Sequence, residues 1–165
     1  DFPGDEKYRK YVSSNECFEV VEGVGEVTDF CAFHYNKVEP LAALQDDFVT
    51  FTFLGDTYTN NLKEAAVYLE AVAYTDNGNT YEVKEKSAKT LMPKEDSFLS
   101  NIFNLTIWPA EYFGIQEGET ITRIEYIFTN KDGTLSITGT DDKIAAEGGE
   151  VEGEKEPFIC ELACE

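Results

Sequence analysis

The sequence predicts an all-β chain, an antiparallel β-sandwich of short strands. Three observations lead there. Apolar, β-branched and aromatic residues alternate in short runs from Cys17 onward. Clusters of Gly, Asn and Asp separate those runs at intervals of about 8 to 12 residues, the spacing of sandwiches and barrels. Two long polar connections, Lys37 to Asp47 and Asp141 to Glu156, suit strands that change sheet and so favour a sandwich over a barrel. With 165 residues, 42% of them hydrophobic, the chain has enough apolar mass for one module with a short appendage.

Phe18 to Val21 and Val27 to Tyr35 form a first hairpin around Glu22-Gly-Val-Gly-Glu26. The clearest strand follows the first connection. In Asp47-Phe-Val-Thr-Phe-Thr-Phe53, Val49, Phe51 and Phe53 share one face and Thr50 and Thr52 the other. After a turn at Gly55 to Asn61, Ala65 to Tyr74 opens like a helix but carries Val67, Tyr68, Val72 and Tyr74 at strand spacing, and is read as a strand. Asp76-Asn-Gly-Asn79 turns it into Thr80 to Glu85; these four residues lack the spaced carboxylates of a calcium loop. Lys84 to Lys89 is a charged, exposed stretch, and Thr90-Leu-Met-Pro93 ends a short edge segment. Phe103, Leu105 and Ile107 face inward on Asn101 to Trp108, which Pro109 stops. Ile124, Tyr126 and Phe128 do so on Ile121 to Asn130, and Asn130-Lys-Asp-Gly133 turns that strand into Thr134 to Thr138. Asp141 to Glu156, with seven acids against two lysines, reads as an acidic surface loop, and Phe158 to Leu162 closes the domain. The whole is an immunoglobulin-like sandwich over residues 38–165, with residues 1–37 as an N-terminal tail and hairpin packed on it.

Thirteen Lys and Arg against 33 Asp and Glu give a net charge of −20, which repels nucleic acid and anionic lipid. No run approaches the ~20 apolar residues of a membrane-spanning helix, so this segment does not insert in a membrane. A single histidine, His34, rules out a two-His zinc site, and no CxxC pair occurs, so neither metal nor other cofactor is expected. Of the four cysteines, a register centred on Val24 sets Cys17 opposite Cys31. A cross-strand disulfide and a pair of reduced core cysteines both fit that register. Cys160 and Cys164 lie too far apart to bond within one extended strand.

Four blocks between Pro40 and Leu162 carry a resemblance: Pro40 to Phe53; Asn61-Leu62 through Val67-Tyr68; Phe103-Asn-Leu-Thr-Ile107 with Pro109 and Tyr112-Phe-Gly114; and Ile121 to Gly133. In order, they resemble the strands and hairpins of a β-sandwich module of secreted and surface-anchored glycan-utilisation proteins of gut Bacteroidetes, found ahead of α-amylase-type domains and in accessory lipoproteins. Phe103 stands where that module usually has Trp. The resemblance implies export, to the cell surface, periplasm or extracellular space, and a role in handling polysaccharide; it supplies no catalytic residues.

Glycan binding needs exposed aromatic rings beside polar groups. The aromatics not required by strand alternation are Trp108, Tyr112, Tyr58 and Tyr74, the candidate ligand-binding residues. A structural or protein-interaction domain of a surface lipoprotein needs only the fold. No carboxylate pair stands inside an apolar run that would raise a general acid's pKa, so no catalytic role is assigned. The expectation is a monomeric, non-catalytic module that meets a neutral glycan or a cell-surface protein.

Overall fold

The computed structural model describes residues 37–40, 42–96, 98–150 and 152–163. All of them fall in the one of the chain's two compact units that begins at Tyr35. The hairpin expected between Phe18 and Tyr35, with Cys17 and Cys31, lies outside the described residues, as does Cys164.

The strands are β1 (Lys37–Glu39), β2 (Val49–Leu54), β3 (Tyr68–Thr75), β4 (Thr80–Val83), β5 (Ile102–Ile107), β6 (Ile121–Thr129), β7 (Ser136–Ile137) and β8 (Phe158–Glu161). Two short helices, α1 (Pro109–Phe113) and α2 (Gly139–Glu147), interrupt them. The pairings between these strands are all antiparallel. One sheet has the order β1-β2-β5; the other runs β4-β3-β6, with β7 and β8 sharing the far edge of β6. The fold is an all-β sandwich.

Alternation places the core between the sheets. Val49, Phe51 and Phe53 of β2 are fully buried, as are Leu69 and Ala73 of β3 and Ile124 and Phe128 of β6. Phe51 meets Tyr126 edge-on with ring centroids 4.8 Å apart, and Phe53 meets Phe128 at 5.0 Å, so rings from the two sheets interdigitate. Ala71 lies beside Tyr126 in the register and leaves room for the larger ring. The chain crosses between the sheets at residues 91–94: Leu91 bridges to Tyr68 and Lys94 to Phe103, with Pro93 between them.

Three local expectations are corrected. Leu105 is on the inner face, opposite Phe51, but only half-buried. The crossing segment bonds to β5 at Ile102 and Asn104, and β5 is the last strand of its sheet, so Leu105 sits where that cover ends. The stretch read as an acidic loop begins with α2. Its cap is Thr138-Gly-Thr-Asp141: the Asp141 amide donates to the Thr138 hydroxyl at 3.3 Å and the Thr138 amide to the Asp141 carboxylate at 2.9 Å. The strand read from Ala65 begins only at Tyr68, and the helix-like run before it is a single 3-10 turn, Asn61–Glu64, capped by the Asn60 side chain accepting from Leu62 N at 3.0 Å.

Candidate functional site

Register explains how an exposed aromatic pair forms. Val49 lies opposite Ile107, so the next residues outward, Phe48 and Trp108, leave the end of the three-stranded sheet side by side, out of phase with the core positions. Their ring centroids are 6.2 Å apart and tilted by 55°. Phe48 is 71% exposed and Trp108 43% exposed, so the two rings form one apolar surface patch.

The backbone beneath the rings is tied down. Leu44 N donates to Asp47 Oδ2 at 2.8 Å, Ala110 N to Gln45 O at 3.0 Å, and Tyr112 N to Trp108 O at 2.7 Å. Pro109 at the first position of α1 fixes the direction of the chain after Trp108. The same outer face continues as rows of hydroxyl and amide groups. Thr50 and Thr106 share a hydrogen bond of 2.7 Å, and the Thr52 hydroxyl donates to Asn104 Oδ1 at 2.8 Å. Two tilted apolar faces beside ordered hydroxyls suit a ligand that alternates C–H surface with hydroxyl groups.

The other candidates are dispersed. Tyr58 is buried, stacked on Phe53 at 5.8 Å, and donates its hydroxyl to the buried Asp142 carboxylate of α2; desolvation and that bond push its ionisation far above the usual tyrosine range. Tyr112 is buried against Phe113, and desolvation raises its pKa as well. Neither ring is open to stack a ligand, which corrects the expectation for both: they are core residues that carry a polar tip. Tyr74 lies on the outer face of β3, half-buried, with the Arg123 guanidinium 4.1 Å from its ring centroid and its hydroxyl 3.1 Å from Glu125 Oε1. It is on the opposite sheet from Trp108. Phe48 was missed by sequence reasoning, although an aromatic in the polar phase of the Val49-Phe51-Phe53 strand is a legible signal.

Among the described residues, hydrogen bonds hold three carboxyls below the usual carboxylate range. Glu119, buried in the turn before β6, accepts from the Tyr81 hydroxyl at 2.6 Å and from Asn79 Nδ2 at 3.3 Å, and the tyrosine bond is the main cause holding its carboxyl below the usual range. Asp132 is lowered chiefly by the Thr134 hydroxyl, and Asp56 is brought to about 2 chiefly by the Asn101 side-chain amide. The half-buried Cys160 thiol is pushed up to about 11 by desolvation. Among the described residues no group of three or more His, Cys, Asp or Glu side chains is placed to hold a metal ion.

No curated protein matches the chain. The sequence model of DUF8578, described as a domain of unknown function, matches residues 36–137, which takes in β1 to β7 with Phe48, Tyr74 and Trp108 and leaves α2 and β8 outside. The chain therefore belongs to the DUF8578 family.

Proposed function

We propose that this chain is a non-catalytic, exported accessory module of a polysaccharide-utilisation system, and that it binds neutral, starch-like glycan weakly through Phe48 and Trp108. The observation that carries the reading is the exposed, tilted ring pair beside the Thr50, Thr106 and Asn104 row. The resemblance of Pro40 to Leu162 to surface glycan-utilisation modules of gut Bacteroidetes supports export and a cell-surface place, as on a lipoprotein. The −20 charge supports a neutral ligand over nucleic acid. Strands one, two and five facing strands three, four, six, seven and eight support reading the sandwich as immunoglobulin-like. The edge strands β1 and β4 have only 3 and 4 residues, and the free side of the longer edge strand β5 is partly covered by the crossing segment, which bonds to Ile102 and Asn104; both features disfavour edge-to-edge pairing and support a monomer.

Stacking that covers ~50 Å² of a ring is worth about 1.3 kcal/mol, near tenfold in affinity. In affinity gels containing soluble starch, galactomannan or xyloglucan, wild-type protein is expected to be retarded by at least one polymer, and Trp108→Ala and Phe48→Ala to lose most of that retardation. Wild-type protein that runs unretarded in all three overturns the reading. The second reading, a structural or protein-interaction domain without glycan binding, is favoured by one observation: Phe98 stands fully exposed in the loop before β5, as an anchor for a protein partner would.

A further inference from the structure

The outer face of the larger sheet carries a groove of about 280 Å³ that sequence reasoning did not assemble. Its lining includes Glu70, Val72 and Tyr74 of β3, Glu82 and Lys84 on and just after β4, and Glu125 of β6. Register accounts for the cluster: Val72 pairs with Glu82 on one side and Glu125 on the other, and Tyr74 pairs with Thr80 and Arg123, so these side chains rise together from one face.

Each carboxylate in the groove already has a cation. Glu70 pairs with Lys86, Glu82 with Lys84 at 3.8 Å, and Glu125 with Arg123 at 2.9 Å. Lys84 lies in the lining, and Lys86 and Arg123 just outside it offset the other two carboxylates, so little charge is left to attract an ion, yet the groove presents fixed acceptors and donors beside the Tyr74 ring. That chemistry matches a neutral polyhydroxylated ligand, and the volume falls just below the ~300–1,000 Å³ of small-molecule sites, room for one or two sugar rings.

We propose that this groove is a second glycan subsite, separate from the Phe48–Trp108 pair, and that the module thereby holds two glycan chains at once. The proposal rests on the glycan reading above. The two sites are on the outer faces of opposite sheets, with the core between them, so one straight chain does not reach both. Two weak sites on separate strands of a polymer act together through high effective concentration, which makes a weak monomeric binder an effective bridge between chains.

The test is amide NMR of the full chain, wild type and W108A, titrated with heptasaccharides of α-1,4-glucan, β-1,4-mannan and xyloglucan. The expected result is two groups of shifted amides in wild type, one at Phe48, Thr106 and Trp108 and one at Val72, Tyr74, Glu82 and Glu125. In W108A the second group persists with an affinity changed less than twofold, and Glu82→Ala, an exposed substitution that spares the core, weakens it at least threefold. Shifts confined to the first group, or a second group that disappears in W108A, overturn the second subsite and leave the glycan reading standing. An absence of shifts with all three saccharides overturns both.

Discussion

Replacing Phe53 by alanine tests whether the sandwich is held by its interleaved rings. Phe53 is fully buried and touches Tyr58, Phe103 and Phe128 with centroid separations of 5.8, 5.6 and 5.0 Å, so its ring joins both sheets and the turn that follows β2. A buried Phe→Ala change costs about 3–5 kcal/mol, the transfer of the ring plus the cavity it leaves. Leu105 faces the same interior but is half-buried, and half of the ~2–5 kcal/mol of a buried Leu→Ala change is about 1–2.5 kcal/mol. With a urea slope of about 1.5 kcal/mol per molar, Phe53→Ala lowers the unfolding midpoint by about 2–3 M and Leu105→Ala by about 1 M. The assay is urea unfolding followed by far-ultraviolet circular dichroism. A Leu105→Ala midpoint as low as that of Phe53→Ala, or a loss below about 1 kcal/mol in Phe53→Ala, refutes the packing described.

Two further predictions concern local devices. The Asp56 carboxyl titrates at about 2, against ~3.9 in an unfolded chain, so its stabilising contribution is complete above pH ~4 and is lost as the pH falls toward 2. Carboxyl NMR should find that midpoint, Asp56→Asn should flatten the acid limb of the stability curve, and a midpoint near 4 would contradict the bonds from Asn101 and Lys63. Thr138→Ala removes one half of the cap of α2 and should cost about 1 kcal/mol in urea unfolding; an unchanged midpoint would mean that the cap does not support the helix.

The strands were legible because one face of each is buried. The Val49-Phe51-Phe53 phase, the Asn-Gly turn and the Asn130 to Gly133 turn correspond to β2, to the β3–β4 hairpin, where Thr75 N bonds to Asn79 O at 3.0 Å, and to the β6–β7 hairpin. The helix α2 was masked by composition: its acids suggested a solvated loop, whereas two of them, Asp141 and Asp142, lie in its first turn where the helix dipole favours them. The candidate site was half legible. Trp108 was singled out by the proline after it, but its partnership with Phe48 depends on a pairing of β2 with β5 across some 58 positions of sequence, which no local pattern encodes. For the same reason Tyr58 looked available: the α2 carboxylate that receives its hydroxyl, Asp142, lies 84 positions away.

The most direct test of the glycan reading uses the fact that Trp108 is the only tryptophan. Its fluorescence and its quenching by iodide report one ring, which is 43% exposed in the free protein. Titration with soluble starch should give a saturable blue shift and protect the ring from iodide, and Phe48→Ala should weaken that protection about tenfold. A spectrum and quenching constant unchanged by starch, galactomannan and xyloglucan alike would show that the Phe48–Trp108 pair does not bind glycan.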